Sequence, residues 1–190
     1  LSSIFIALFL NNVYAESTET TACKSALDKG DVTTALNQAE KALKNNNKEV
    51  EAFICQGRAL AASEKFEAAL ASFKQADTLS NDAFDKTISS LLIGRVYHKL
   101  NQNDQAIASF QQTLSNAKAA NNQGFERVAH NSIGDVYFVS KQYEQALPEY
   151  KAGAKLAAND NERGESYEKT ALTHHKMNQN DLAVEYQLKA

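Results

Sequence analysis

Residues 50–83 read VEAFICQGRALAASEKFEAALASFKQADTLSNDA, and this stretch decides the fold of the chain. It holds two amphipathic helical patterns separated by a polar link at residues 63–65. Small residues, Gly57 and Ala69, stand where the two helices would cross, and larger apolar residues flank them. A bulky side chain at such a crossing would push the helices apart, because protein interiors are close-packed. The stretch therefore predicts a tight antiparallel helix hairpin.

The pattern of residues 50–83 recurs along the chain. Successive small residues are 34, 37, 40 and 37 residues apart, and an alanine follows each of them by twelve residues. The small residues are Cys23, Gly57, Gly94, Gly134 and Ala171, and the alanines are Ala35, Ala69, Ala106, Ala146 and Ala183. Four residues after the alanines come Ala39, Phe73, Phe110, Tyr150 and Gln187. Self-similarity at a period of about 34 residues with these residue types resembles the tetratricopeptide repeat.

The resemblance implies an all-α fold, a right-handed solenoid of about five antiparallel helix hairpins of which the last is incomplete. Its repeats are predicted at 16–49, 50–83, 87–120, 127–160 and 164–190, which together make one domain of residues 16–190. The longer spacings predict longer helices around residues 81–86 and 117–124. The sequence stops within the second helix of the fifth repeat, so either it is truncated there or this end pairs with another molecule.

The N-terminus has a different composition. Residues 1–10 (LSSIFIALFL) are mostly apolar, and residues 13–15 (VYA) put small residues at the positions that a signal peptidase reads. The run is too short to span a bilayer, which needs about 20 apolar residues. We predict a cleaved signal peptide in residues 1–15, a periplasmic or secreted protein, and no stable membrane anchor. A retained anchor or a buried N-terminal helix is the alternative.

The chain has two cysteines, Cys23 and Cys55, on the first helices of neighbouring predicted repeats. Export would place them in an oxidising compartment, where disulfides persist, and two cysteines allow one intramolecular bridge. The pair is therefore a candidate disulfide. The alternative is two separate buried thiols that pack as small apolar side chains.

Several function classes have no signature in the sequence. A net charge of −3 with no basic stripe argues against nucleic-acid binding. The four histidines follow no metal-binding spacing, and the serines and threonines follow no nucleophile motif. We therefore predict no enzyme activity, no cofactor and no metal site.

In the tetratricopeptide family the first helices line an inner groove. The ligand-facing positions lie three before the small residue and one, four and five after it. On the matching positions of this chain, the resemblance implies a partner-binding groove. Its candidate residues are Arg58, Arg95, His98, Asn131, Asp135 and Phe138.

Arg58 and Arg95 occupy the same register on neighbouring repeats. Arginine binds carboxylates in a bidentate way, so a peptide carboxylate or an acidic side chain is a plausible ligand. The alternative is that each arginine pairs with a carboxylate of its own array, such as Asp135 or Glu51. The amide of Asn131 can hold a peptide backbone through both its donor and its acceptor.

The leading interpretation is an exported scaffold that binds a peptide or protein segment in its concave groove. The alternative is a structural module that stacks through its C-terminal end and forms a homo-oligomer. The repeat pattern supports both, because a repeat scaffold serves many roles.

Overall fold

The computed structural model describes residues 16–190, and the predicted signal peptide lies outside the described residues. This range contains ten α-helices and no strand. The helices are α1 (Thr18–Asp28), α2 (Val32–Asn45), α3 (Val50–Ala62), α4 (Phe66–Leu79), α5 (Ala83–Lys99), α6 (Asn103–Ala119), α7 (Gln123–Val139), α8 (Tyr143–Lys155), α9 (Asp160–Lys176) and α10 (Asn180–Lys189). None of these ten helices is long and apolar enough to cross a membrane.

Consecutive helices pair into five hairpins that stack in chain order. The larger contacts join each helix to the next one, and smaller contacts join the first helices α1 to α3, α3 to α5 and α5 to α7. Such neighbour-only packing is the geometry of a solenoid, in which each repeat buries its apolar face on the adjacent ones. The predicted all-α solenoid of five hairpins is confirmed.

Each hairpin turns through one residue in the left-handed backbone region. These residues stand seven positions after the small residue of each repeat, and they are Gly30, Glu64, Asn101, Lys141 and Asn178, with φ between 57° and 74°. The amide of the next residue then bonds back to the first helix, as Lys65 does to the carbonyl of Leu60 at 2.9 Å. This closes the helix end and reverses the chain within a few residues.

Four helices of the last three hairpins are longer than those of the second hairpin, as the spacings predict. α5, α6, α7 and α9 have 17 residues each, whereas α3 and α4 have 13 and 14. The predicted starts at 87, 127 and 164 lie about one turn inside α5, α7 and α9. These helices begin earlier because the side chains of Asp82, Asn122 and Asn159 accept hydrogen bonds from their first amides.

The three middle hairpins cross through a glycine that faces an aromatic ring. A Cβ atom at Gly94 would lie 2.6 Å from Cε1 of Phe110, and one at Gly134 would lie 2.6 Å from Cε1 of Tyr150. Both rings are buried, with exposures of 2% and 1%. The small residue is therefore required because the ring of the second helix lies directly on the backbone of the first.

The first hairpin has no aromatic ring at its helix crossing. Cys23 takes the place of the glycine, and Ala39 takes the place of the aromatic residue. Cys23 forms a disulfide with Cys55, across a Cα–Cα distance of 6.4 Å, and so links α1 to α3. Both cysteines are buried against Ala39 and other alanines of α2 and α3. The sulfur atoms thus help to fill the space that a ring fills in the middle hairpins.

Candidate functional site

The first helices of repeats two to five present one residue each at the position after the small anchor. We call these four residues the central row: Arg58, Arg95, Asp135 and Leu172. Arg58 and Arg95 are exposed, Asp135 is half-buried, and Leu172 is 48% exposed. The central row is therefore cationic on α3 and α5, carries a carboxylate on α7, and is apolar on α9.

The two arginines of the central row have no carboxylate partner among residues 16–190. Glu51 pairs instead with Lys24 at 2.6 Å, and Asp135 pairs with Lys169 at 2.7 Å. The structure thus does not show the internal pairing of Arg58 or Arg95 with Asp135 or Glu51 that the sequence left open. Both carboxylates pair instead with lysines on the first helices of neighbouring repeats.

The guanidinium groups of Arg58 and Arg95 influence each other. Although the Arg95 side chain is exposed overall, partial desolvation of its guanidinium, and after it the positive charge of Arg58, hold the pKa of this group below its usual value. The two like charges repel each other, and neither arginine forms a salt bridge with a described carboxylate. An anion placed between them would remove this repulsion.

A cavity of about 260 Å³ adjoins this cationic part of the central row. It lies among α5, α7 and α9, and four of the six predicted groove residues line it. These four are Arg95, His98, Asn131 and Asp135. Its other charged residues are Arg127, Glu165 and Lys169, which the position pattern does not include. Arg127 is already engaged, at 2.9 Å from Glu165 and 3.3 Å from Glu162.

The carboxylate of Asp135 on α7 already forms hydrogen bonds to side chains of two other helices, α8 and α9. Lys169 of α9 donates to its two carboxylate oxygens at 2.7 and 3.0 Å, and the hydroxyl of Tyr150 of α8 donates at 2.9 Å. Burial, followed by the nearby Asp135 carboxylate, raises the pKa of Tyr150, which keeps its proton on this bond. Its charge is thus balanced within the array.

The sequence predicts that the amide of Asn131 faces a ligand, but in the structure this amide is buried and bonded to α9. Asn131 is 5% exposed, and its Nδ2 donates to the Ser166 hydroxyl at 3.1 Å, while that hydroxyl lies 3.2 Å from its Oδ1. Ile54 and Leu91, which stand at the same position in repeats two and three, are also buried. The position three before the small residue faces packed neighbours in these repeats.

The remaining predicted residues take two different places. His98 lines the cavity beside Arg95, and its buried Nδ1 has no hydrogen-bond partner in the described part of the chain. Phe138 is half-buried, and its ring centroid lies 5.4 Å from that of Tyr143 at the start of α8. His98 therefore lies beside the cationic part of the central row, whereas Phe138 packs within its own hairpin.

A second cavity, which we call the α9–α10 pocket, has a volume of about 320 Å³. It is lined by Glu168, Ala171, Leu172, His175, Ala183, Val184 and Gln187. Three of these residues, Glu168, Leu172 and His175, stand three before, one after and four after Ala171, which are ligand-facing positions in the pattern of the family. The α9–α10 pocket therefore adjoins the apolar end of the central row. In residues 16–190 no group of histidine, cysteine and acidic residues could hold a metal ion.

Several solved structures have the same fold. Two are MamA proteins: one is 20% identical, covers 88% of this chain and 91% of its own, and has a TM-score of 0.70. The other, from Desulfovibrio magneticus RS-1, is 17% identical, covers 92% and 94%, and has a TM-score of 0.72. BtubC from P. vanneervenii is 8% identical, covers 88% and 75%, and has a TM-score of 0.77. At these identities the likeness concerns the fold alone.

No curated protein is significantly similar to the chain in sequence. The profile of one family, described as Tetratricopeptide repeat, matches residues 21–84 and 91–161, which is more than half of the chain. The matched ranges carry the small residues and alanines of the first four hairpins. The chain therefore belongs to the tetratricopeptide repeat family.

Proposed function

We propose that this tetratricopeptide scaffold is exported and binds an acidic segment of another protein in the groove formed by its first helices. The observation that carries the proposal is the pair of Arg58 and Arg95, which are exposed, share one register and have no carboxylate partner in residues 16–190. Two guanidinium groups side by side match the geometry of a carboxylate, or of two successive acidic side chains.

The energetics of the groove favour binding over a purely structural role for these arginines. A solvent-exposed cation that pairs within its own fold contributes little to stability, and these two make no such pair. Their helices are held by buried packing on both sides, so a ligand meets a surface that is already formed. A pre-formed surface loses little conformational freedom on binding, which leaves more of the contact energy as affinity.

Export is supported by two features of the N-terminal part. Residues 1–15 have the apolar run and the small-residue site of a signal peptide. The disulfide of Cys23 and Cys55 suits an oxidising compartment, in which such bonds persist. We place the scaffold in the periplasm or outside the cell on these grounds.

Selection from a displayed library of random peptides on immobilised protein tests the groove. The wild-type protein should enrich peptides that contain acidic residues, and Arg58→Glu with Arg95→Glu should abolish this enrichment. Synthetic copies of the enriched peptides should bind the double variant about 100-fold more weakly or worse, because charge reversal replaces two attractions by two repulsions. Isothermal titration measures this loss.

A matched control makes the same change in net charge elsewhere. Lys41→Glu with Lys44→Glu places both changes on exposed positions of α2, a second helix. This control should bind the selected peptides nearly as well as the wild type does. Enrichment of peptides without acidic residues, or equal binding losses in both double variants, would contradict the groove proposal. Circular dichroism confirms that the variants keep their helical content.

A second candidate function is self-association through the surface of α9 and α10. The observation that favours it is a group of exposed apolar side chains, with Leu172 48%, Val184 60% and Leu188 84% exposed. Such clusters mark contact surfaces on soluble proteins. Sedimentation velocity over a range of protein concentrations measures self-association, which Val184→Asp should abolish.

A further inference from the structure

The cavity among α5, α7 and α9 extends from the groove surface into the core of the third hairpin. Its lining residues range from Arg95, which is exposed, to Phe110, which is only 2% exposed. Its volume is about 260 Å³. A cavity of ~150 Å³ already admits a benzene molecule. One side chain of a ligand therefore fits into this cavity.

Two salt bridges neutralise most of the charges that line the cavity. Lys169 donates to both carboxylate oxygens of Asp135, at 2.7 and 3.0 Å, and Arg127 lies 2.9 Å from Glu165. Arg95 is the remaining charged residue of the lining, and it forms no salt bridge within residues 16–190. The wall formed by α5 is therefore the cationic side of the cavity.

His98 adds a second polar group to the same wall. It stands three residues after Arg95 on α5, and residues three apart lie on one face of a helix. Its Nδ1 atom is buried and has no hydrogen-bond partner in the described part of the chain. The other ring nitrogen, Nε2, is not buried in this way. Since His98 lines the cavity, Nε2 is the nitrogen left to face it.

The surroundings of the imidazole decide which nitrogen carries its proton. A neutral imidazole has one N–H group and one acceptor nitrogen. Buried N–H groups without an acceptor are rarer in proteins than buried acceptors without a donor. The proton therefore belongs on Nε2, because Nδ1 has no acceptor beside it. His98 thus offers an N–H donor to the cavity next to the guanidinium of Arg95.

We propose that this cavity receives one side-chain carboxylate of the acidic segment, held by the guanidinium of Arg95 and the Nε2–H of His98. The inference rests on the proposed function, and it adds the place of the carboxylate and a second residue that selects it. A carboxylate has two acceptor oxygens, so it can satisfy both donors at once. Arg58, which does not line the cavity, is left for a second carboxylate of the segment.

Other occupants fit this wall less well. A cationic side chain would be repelled by Arg95, which no described carboxylate neutralises. An apolar side chain would remove water from both donors without replacing their hydrogen bonds, which is costly. Asp135 and Glu165 do not prevent entry of a carboxylate, because Lys169 and Arg127 already pair with them.

A hexaglutamate peptide with an acetylated N-terminus and an amidated, fluorescein-labelled C-terminus is the probe. It offers side-chain carboxylates in every register and has no terminal carboxylate. A hexaglutamine peptide with the same ends is the neutral comparison. Fluorescence anisotropy at physiological salt measures the affinity of each peptide for the full chain. The wild-type protein should bind the glutamate peptide and should not bind the glutamine peptide.

Two variants of His98 separate its hydrogen bond from its packing. His98→Leu removes the donor and should weaken hexaglutamate binding about tenfold, as expected for a lost hydrogen bond to a charged group. His98→Gln keeps an N–H donor close to the place of Nε2 and should stay within about threefold of the wild type. Thermal melting verifies that both variants fold.

A third variant tests whether the carboxylate enters the cavity. Ser132→Leu adds bulk to the α7 side of the cavity without a change in charge, and it should also weaken hexaglutamate binding about tenfold. Ser109→Leu is the matched control, because Ser109 is likewise half-buried but does not line the cavity. This control should bind the peptide as the wild type does.

The outcomes distinguish this inference from the groove proposal. If Arg58→Glu with Arg95→Glu weakens binding but His98→Leu and Ser132→Leu do not, the groove stands and the carboxylate does not enter the cavity. If His98→Gln binds as weakly as His98→Leu, the donor is not the cause and the inference is refuted. If charge reversal has no effect, or if the wild type does not bind hexaglutamate, both proposals fail.

Discussion

A single pair of residues sets how closely the two helices of a middle hairpin approach each other. The ring of Phe110 lies on the backbone at Gly94, and a Cβ there would be 2.6 Å from the ring. The ring cannot retreat easily, because it is buried in a cluster with Leu91, Ile133 and Val136. The pair therefore acts as one packing unit within the solenoid core.

Substitution of Gly94 by alanine should lower the free energy of unfolding by about 1–3 kcal/mol, the usual cost of overpacking a core. Chemical denaturation followed by circular dichroism measures the change. Gly124→Ala is the control, because the nearest atom to its Cβ would be Asn122 Oδ1 at 3.4 Å. That change should be neutral or slightly stabilising, since alanine has the higher helix propensity.

A double-mutant cycle shows whether the ring is the cause of this cost. In a Phe110→Ala background the space beside residue 94 is open, so Gly94→Ala should cost much less than in the wild type. An equal cost in both backgrounds would mean that the clash with Phe110 does not decide the effect. The backbone at Gly94 would then have to be strained in some other way.

At the scale of one element, the first turn of α5 carries an unusual carboxyl group. Burial first, and then the neighbouring carboxylates of Asp82 and Glu51, raise the pKa of Asp85 to about 6, while Lys24 acts in the opposite direction. Asp82 caps the same helix by accepting from the amides of Phe84 and Asp85 at 2.9 Å. The start of α5 thus gathers more negative charge than its surroundings neutralise.

The pKa of Asp85 predicts a pH dependence of stability. Its folded pKa of about 6 lies above the unfolded value of 3.8, so the folded chain binds the proton more tightly. The stability that this group contributes is complete below about pH 4 and is lost as the pH rises through about 6. Relative to Asp85→Asn, the wild type should therefore become less stable between pH 4 and 7, with no further change above.

Urea denaturation at several pH values between 4 and 8 measures this difference. Asp181→Asn serves as the control, because it removes an exposed aspartate from the first turn of α10 and so reports the general effect of a first-turn charge. Parallel stability curves for the wild type and Asp85→Asn would show that Asp85 does not titrate in this range in the folded protein.

At the scale of the whole molecule, each hairpin packs on the adjacent hairpins, and one disulfide links the first two. Each helix contacts mainly the next, so the stability of the array is approximately a sum of hairpins and their interfaces. The first hairpin has no ring at its crossing and is joined to α3 by the disulfide of Cys23 and Cys55. The disulfide therefore connects only the first and second hairpins.

Reduction of the disulfide should destabilise the first hairpin by about 2–5 kcal/mol, the usual effect of removing a native disulfide. Native-state hydrogen exchange should show faster exchange in α1 and α2 after reduction. Exchange in α9 and α10 should not change, because these helices contact neither α1 nor α3. Faster exchange in all ten described helices would contradict neighbour-only coupling.

Thiol labelling verifies the redox state of Cys23 and Cys55 in that experiment. The oxidised, denatured protein should react at no cysteine, and the reduced protein should react at both Cys23 and Cys55. Two labels per chain without reduction would refute the disulfide. The exchange data would then have to be interpreted with two free thiols.

The sequence by itself determined the repeat architecture and the helix crossings. The spacing of small residue, alanine and ring is local, since all three lie within one hairpin of about 34 residues. It therefore identified Gly57 and Ala69 as the crossing of the second hairpin, and it placed Arg58 and Arg95 in one register. That the ring of Phe73 lies on the backbone at Gly57 is seen only in the structure. The left-handed turn residues, in contrast, have little sequence signal, because Glu64 and Lys141 adopt a conformation that glycine usually takes.

Only the tertiary structure decided which charges are compensated and which positions are buried. Asp135 pairs with Lys169 and Glu51 with Lys24, and each pair joins first helices of neighbouring hairpins. The pairing of a carboxylate with a particular cation depends on how far one helix is shifted and rotated relative to the next. The periodicity of a single helix in the sequence does not contain that information. The burial of Asn131 against Ser166 likewise follows from the stacking of hairpins, whose geometry appears only when all side chains are packed together.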